Sequence, residues 1–412
     1  MRERTEKPQA PSVPEERVRN VMHRSILLLV VATSILTLLG LLMVFSAITP
    51  GAVRAEYEDG PNLFRSAYLQ MAYAAIGTVL AVICARIPLA VFQRLWGLAL
   101  GFGILLQLLV LSPLGASVAG NRNWIAFGPI RLQPSEFLKL AMVVALAAVL
   151  GRMVQGAHFQ LSDWSGPIAI TGASIGAVLV GGDMGTALIF LLIGVGMFWM
   201  AGFPGRYFLI SGALGFFLVV VLIFSSRSRI TRIQDFFQNL FTLPTGQTPS
   251  QADYALWAFG SGGPGGSGLG TGIEKWPGNL AEAHTDFIFA VVGEELGFFG
   301  CAVVIVLLGT IGYALLTICM YHPHRFGRFV AGGATLWLCG QAVANMFVVT
   351  GLLPVFGVPL PFMSQGGSSV ISCLMAVGVC VAAALAVPGV KESFRRSSSL
   401  AGRVRAVIRR TS

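Results

Sequence analysis

Ala283-His284-Thr285-Asp286-Phe287-Ile288-Phe289-Ala290-Val291-Val292-Gly293-Glu294-Glu295-Leu296-Gly297 sets a histidine and three carboxylates where a polar loop gives way to a long apolar run. From Leu296 onward the chain stays apolar for the length of a bilayer core, which takes roughly 20 residues of helix. Windows of the same kind begin near Ile26, Ser66, Leu95, Leu132, Gly166, Met184, Tyr207, Val330 and Gly366. Unpaired backbone groups are intolerable in hydrocarbon, so each window reads as a helix. The predicted fold class is an all-α polytopic membrane protein with about ten transmembrane helices.

Composition agrees. Of 412 residues, 55% are hydrophobic and only 11% charged, and the mean hydropathy is +0.76; soluble domains hold about half apolar and a quarter charged residues. With the N-terminus inside, most Lys and Arg fall on the inner segments, so the positive-inside rule places both termini in the cytoplasm and requires an even number of spans. The net charge of +10 comes largely from the two tails. It reads as topology and attraction to membrane lipids, with no nucleic-acid partner. Val44-Phe45-Ser46-Ala47 is faintly cleavage-like, but the preceding run is too long for a signal peptide, and an uncleaved anchor is expected. The six cysteines lie in or beside apolar windows without zinc-ligand spacing, which argues against disulfides and structural zinc.

Residues 1–24 read as a disordered cytoplasmic tail, 25–390 as the transmembrane domain and 391–412 as a basic cytoplasmic tail. Within the domain, 225–285 forms a large extracytoplasmic loop. It opens with Arg227, Arg229 and Arg232, whose interleaved Ile230, Ile233, Phe236, Phe237 and Leu240 suit a short amphipathic helix on the membrane surface. It then passes through the glycine-rich residues 260–272, bracketed by Trp257 and Trp276, either a flexible linker or a backbone that lets a ligand approach closely. Pro359-Leu360-Pro361 interrupts an apolar run ahead of Gly366-Gly367-Ser368-Ser369, which suggests a re-entrant segment lining a polar cavity. Gln341 and Asn345 are expected to bond between helices, and Gly97 and Gly101 to pack one helix on another.

Asn123-Trp124-Ile125-Ala126-Phe127-Gly128-Pro129-Ile130-Arg131-Leu132-Gln133-Pro134-Ser135-Glu136-Phe137-Leu138-Lys139, the stretch 283–297, and 351–369 with its Pro359-Leu360-Pro361-Phe362-Met363-Ser364-Gln365-Gly366-Gly367 resemble three hallmark segments of the SEDS family, the FtsW/RodA/SpoVE-type cell-wall proteins. The similarity runs from about residue 25 to 390 in the expected order. Gly293-Glu294-Glu295-Leu296-Gly297 looks more like the division-type FtsW than the elongation-type RodA. The resemblance implies ten spans, both termini cytoplasmic, and a glycosyltransferase of the bacterial cytoplasmic membrane that polymerises lipid II into peptidoglycan strands. It also implies a divalent cation, Mg or Mn, with ligands unknown, a class B penicillin-binding protein transpeptidase as partner, and other divisome or elongasome membrane proteins. Departures are Gly182 where Pro is usual, Gln365 where Tyr is common, and Phe356 and Gly278 at positions often polar or charged.

The reaction joins a sugar 4-hydroxyl to an anomeric carbon and expels undecaprenyl pyrophosphate, so it needs a base and positive charge. Asp286 stands at the family's essential aspartate and is the expected general base; the residue type alone also suits a helix N-cap. His284 and Thr285 are expected to orient Asp286 or a sugar, or to cap and pack. Glu282 stands beside them, and Glu294 and Glu295 lie inside the span, where carboxylates either line a site or pair with Arg131 or Lys139. Arg227, Arg229 and Arg232 suit pyrophosphate or lipid headgroups. Arg122 joins a second outward cluster with Arg131 and Lys139. Glu136 and Lys139, three apart on one helix, suit an internal pair or a substrate contact. Trp124 could stack on a sugar or sit in the aromatic belt. Asp183 could bind a cation or cap a helix. Ser364 and Ser368 complete the candidate substrate contacts. A flippase for lipid-linked precursors and a non-catalytic scaffold are the competing functions; the crowding of ionisable groups on the outer half favours the enzyme.

Overall fold

The computed structural model describes residues 15–59, 65–118, 121–127, 130–153, 160–224 and 249–394, with scattered positions between 230 and 237. Its helices are α1 (Glu15–Asp59), α2 (Arg65–Arg86), α3 (Leu89–Leu108), α4 (Pro134–Leu150), α5 (Ser165–Val180), α6 (Met184–Ala201), α7 (Gly205–Phe224), α8 (Gln251–Gly262), α9 (Ile288–Tyr321), α10 (Arg325–Val349) and α11 (Gly367–Leu385). All but the short α8 coincide with the apolar windows of the sequence. Among the described residues, 8 helices are long and apolar enough to cross a membrane. The helix α4, at 17 residues, is instead the centre of the bundle: all of it is buried except Phe137 and Val149. Beside it α11 is buried apart from Ile371, Met375 and Leu385.

Small residues set the helix spacing, as expected where lipid supplies no hydrophobic drive between helices. A Cβ on Gly378 would lie 2.3 Å from the Ala81 carbonyl, and one on Gly77 would lie 2.8 Å from Leu374, so α2 and α11 run nearly backbone to backbone. The expectation for Gly97 and Gly101 is corrected: both are exposed, with nothing within 4 Å of either position. Gly103 is a packing glycine of α3, where a Cβ would lie 3.0 Å from Leu138 Cδ1. The sequence spacing is helical for either register, and only the position of α4 selects between them.

Helix α1 begins at Glu15 and so includes Arg17, Arg19 and Arg24, which the sequence reading had placed in the tail. His23 meets Phe394 at 4.1 Å between ring centroids, so the described ends of the chain lie together. His322, at the turn between α9 and α10, bonds the Ala383 carbonyl at the same end of α11. The loop after α3 folds into a small antiparallel sheet, β1 (Gly115–Val118), β2 (Asn121–Phe127) and β3 (Ile130–Leu132), in that order. Trp124 pairs with Ala116 and Ile125 with Leu132 across it.

Two irregular stretches matter for the site. Between α10 and α11, residues 350–366 form no helix, yet Leu360, Phe362, Met363 and Ser364 are buried. A Cβ on Gly40 of α1 would come within 2.6 Å of the Met363 backbone, so this irregular chain is enclosed by protein, the condition under which it is tolerated at such depth. The second is a break in α9 at Gly297, with φ 67° and ψ −163°. It strips helical partners from neighbouring carbonyls and amides. The glycine-rich stretch supplies them: Ser267 N donates to Glu294 O at 2.9 Å and Gly268 N to Glu295 O at 3.0 Å, while Phe298 N and Phe299 N donate to the carbonyls of Gly263 and Pro264 at 2.9 and 3.2 Å. The glycines are there for close approach, since a Cβ on Gly266 would lie 2.2 Å from Glu295 O. The stretch is thus not a flexible linker; it is docked against the broken helix.

Candidate functional site

A cavity of about 830 Å³ opens at the end of the bundle where α10 finishes and α6, α9 and α11 start. Asn121, Asn123 and Trp124 of β2 form one wall, and Leu352, Pro354 and Phe356 of the irregular segment form an apolar one. Gln365, Gly366 and Ser369 contribute from the start of α11, and Ser250 and Asp253 from α8. Its carboxylates are Asp183, Asp253, Glu282 and Asp286. No Lys or Arg lines it among the described residues.

Asp286 sits in a tight turn before α9. Thr285 N and Phe287 N donate to the Glu282 carbonyl at 3.2 and 3.0 Å, and Thr285 Oγ1 donates to Glu282 Oε2 at 2.5 Å. The irregular segment grips this turn from below: Ser364 Oγ donates to Thr285 O at 2.6 Å, and Gln365 N to His284 O at 2.8 Å. From α10, Asn345 Nδ2 donates to Asp286 O at 2.7 Å. The residue at the capping position of α9 is Phe287, whose own side chain makes no capping bond. Gly357, at φ 72°, passes so near that a Cβ there would lie 3.6 Å from Asp286 Oδ2.

Asp183 lines the cavity and also caps α6: its Oδ1 accepts from Thr186 N at 2.9 Å, and its Oδ2 from Thr186 Oγ1 at 2.8 Å and Gln133 Nε2 at 3.4 Å. Burial pushes its carboxyl above the ordinary value, and the bonds from Thr186 oppose that. Trp124 and Thr285 also line the cavity. His284 does not; burial holds its imidazole below the usual value, against the pull of Glu282.

Several sequence candidates lie elsewhere. Glu136 and Lys139 pair at 2.8 Å inside the bundle, each side chain 1% exposed. Lys139 Nζ also donates to Gln341 Oε1 at 2.8 Å and lies over the Trp337 ring. Of the two roles proposed for the pair, the internal one is what the geometry displays. Glu294 is buried under the glycine-rich loop, accepting from Ile273 N at 2.6 Å and Glu274 N at 3.1 Å. Glu295 pairs with Lys275 at 2.5 Å, not with Arg131 or Lys139. Arg122 is exposed and donates from Nη2 to Ser112 O at 2.8 Å. Ser364 braces the Asp286 turn, and Ser368 Oγ accepts from Gln133 N at 2.8 Å; both lie behind the cavity surface. Arg227, Arg229 and Arg232, with most of the amphipathic segment around them, lie outside the described residues; Phe236 is described and lines the cavity. The sequence reading missed Asn123, Gln133, Gln251 and Asp253 as cavity residues. The expectation that Asn345 bonds across the bundle is corrected in its partners, which are the carbonyls of Asp286 and Val358 in two irregular stretches and not a second helix.

The family comprising FtsW, RodA and SpoVE, described as "Cell cycle protein", matches residues 26–387. The chain belongs to this family. A protein of Trichlorobacter lovleyi named "Probable peptidoglycan glycosyltransferase FtsW" is 37% identical over 356 residues, covering 86% of this chain and 91% of that one. Stage V sporulation protein E of Bacillus subtilis is 35% identical over 354 residues, covering 86% and 95%. Among solved structures, a chain of the assembly described as "Structural coordination of polymerization and crosslinking by a peptidoglycan synthase complex" superposes with a TM-score of 0.68 at 25% identity, covering 87% of this chain and 97% of that one. Rod shape determining protein RodA of Thermus thermophilus superposes at 0.62 with 25% identity, covering 87% and 95%. Like these FtsW/RodA relatives, this family member is a multi-pass membrane protein.

Proposed function

We propose that this chain is a peptidoglycan glycosyltransferase that polymerises lipid II at the outer face of the bacterial cytoplasmic membrane. The observation that carries the reading is the placement of Asp286: it faces the cavity while its backbone is held by Asn345 from one side and its turn by Ser364 from another. A general base needs that fixity, because it must reach a specific proton. Asp286 takes the proton of the acceptor 4-hydroxyl as that oxygen bonds to the anomeric carbon of the second sugar, and the bond from that carbon to undecaprenyl pyrophosphate breaks. The apolar wall of 352–356 suits a lipid-linked substrate, and Trp124 offers a face for sugar stacking.

Both described chain ends lie away from the cavity, which fits cytoplasmic termini and an outward-facing site under the positive-inside rule. The leaving pyrophosphate needs counter-charge that the described wall lacks. Arg227, Arg229 and Arg232 are one source, and a divalent cation, Mg or Mn, is the other. No group of three or more acid, His or Cys residues that could hold a metal occurs among the described residues, so Asp183 and Glu282 would share the ion with substrate phosphates, as magnesium commonly is held. Such an ion would neutralise charge on the leaving group. A transpeptidase of the class B penicillin-binding type is the proposed partner; the polymerisation and crosslinking complex among the structural relatives supports it. A role in division fits the FtsW names of the relatives.

The test is purified chain with labelled lipid II, with and without the transpeptidase. Asp286→Asn is expected to stay folded and make no glycan, since an amide accepts no proton. Glycan strands from that variant would overturn the assignment.

A further inference from the structure

The two glutamates that end the opening stretch belong to a lock beside the site. At the break in α9, the docked loop supplies backbone partners on both sides of Gly297, and charge adds to it. Lys275 Nζ and Glu295 Oε1 meet at 2.5 Å with side chains 1% and 0% exposed. Ser46 of α1 donates to Glu295 Oε2 at 2.7 Å and accepts from Lys275 Nζ at 2.8 Å. Gly270 N adds a further bond to Glu295 Oε2 at 3.1 Å. Three separate pieces of chain, α1, the loop and the start of α9, are thus joined at one buried point.

We propose that Lys275 is a positioning residue for Asp286, acting through this lock. The portion of α9 ahead of the break, 288–296, is too short to hold its own direction, because isolated helices of such length are marginal. Its residues from Ile288 to Glu295 are packed inside the bundle, and its two ends are gripped as well. The leading end is the Asp286 turn, braced by Asn345 and Ser364. The trailing end is the lock. The buried ion pair is the part of this grip most sensitive to change, since loss of one partner leaves an uncompensated charge that must reach water or take a proton. Loosening the trailing end lets the half-helix shift against its packing, and the shift reaches the Asp286 turn as a loss of precision, because Asn345 and Ser364 still hold that turn.

The inference rests on the proposed role of Asp286, and its test separates the two. Lys275→Met in the full-length chain is expected to lower kcat about tenfold or more with KM near the wild-type value, because misplacing a reacting group by an ångström can cost about a hundredfold while substrate contacts persist. Hydrogen exchange on the same detergent-solubilised protein reads the mechanical link without activity. Exchange should quicken in peptides covering 263–276 and also in those covering 284–290. Should Lys275→Met not fold, Lys275→Gln, which keeps a donor but removes the charge opposite Glu295, carries the same two readouts. Wild-type exchange at 284–290, or wild-type kcat in the folded variant, overturns the proposal. Glycan made by Asp286→Asn would overturn the functional reading instead, in a variant whose lock is intact.

Discussion

Asn345 Nδ2 donates to the carbonyl of Asp286 at 2.7 Å and to that of Val358 at 2.8 Å, so one fully buried carboxamide ties α10 to both the Asp286 turn and the irregular segment that walls the cavity. Removing it takes a donor from two carbonyls at once. Asn345→Ala is expected to cost roughly 1 to 3 kcal/mol in stability, the range for a buried partner left unsatisfied. Activity should fall further than stability explains, because the turn that carries the proposed base loses its brace. Thermal unfolding and lipid II kinetics on the same preparation would show whether kcat drops while KM holds.

The buried pair Glu136–Lys139 makes a contrasting prediction. Lys139→Met leaves Glu136 in the bundle centre with Ser372 Oγ donating at 3.4 Å, and leaves the Gln341 oxygen to Trp337 Nε1 alone. The expected loss is roughly 3 to 5 kcal/mol. The double variant Glu136→Met/Lys139→Met should recover most of it if the pair serves the fold alone. Full folding of the double variant with polymerisation still absent would show that the charges reach the chemistry.

How much of this was legible in the sequence follows from what each signal depends on. Spans were readable because bilayer thickness imposes a length and lipid imposes apolarity, and both are local properties. The site was readable where residues near in sequence remain near in space, as with Thr285 and Asp286. Partner identity was not. Glu295 could have paired with any basic residue on the same side, and only the packing of the loop onto the break chooses Lys275. Glu294 looked like a site residue for a sound reason, a carboxylate inside an apolar run. Its cost is met instead by the amides of Ile273 and Glu274, just after the glycine-rich stretch and 21 and 20 residues upstream. Gln133 and Asn345 gave weak signals alone and acquire meaning only where three segments converge.

His284 yields a pH prediction. Burial lowers its pKa from the model-peptide value of 6.5, with the charge of Glu282 opposing. A depressed folded value means that stability is fully present above the unfolded value and is lost as pH falls through the folded one. The chain should therefore lose thermal stability as pH falls below about 6.5. His284→Gln should flatten that part of the curve, because Gln365 bonds the backbone carbonyl of residue 284 and not its ring. Melting curves for both proteins between about pH 5 and 8 would check it; an unchanged slope would assign the acid sensitivity to another group.

The acids of the cavity lead to a prediction about metal. Asp253 is committed to the capping box of α8, accepting from Ser250 N and Ser250 Oγ at 2.8 Å each. Asp183 caps α6 with both oxygens engaged, and Glu282 accepts from Thr285. Carboxylates already tied to protein donors and carried on different elements make a poor cage for a small octahedral ion, which keeps several waters and looks to substrate phosphates for the rest. Manganese binding to the purified chain without lipid II should accordingly be weak, with Kd on the order of millimolar. Asp183→Asn should preserve the cap, because Asn serves there about as well as Asp, yet remove one of the two charges proposed to share the ion. The expected outcome is an unchanged melting point at neutral pH or a slightly higher one, since burial penalises the charged Asp183 carboxyl, together with a higher manganese concentration for half-maximal polymerisation. Paramagnetic titration with and without lipid II would measure both affinities. Micromolar binding by the chain alone would mean that residues beyond these acids build a dedicated site.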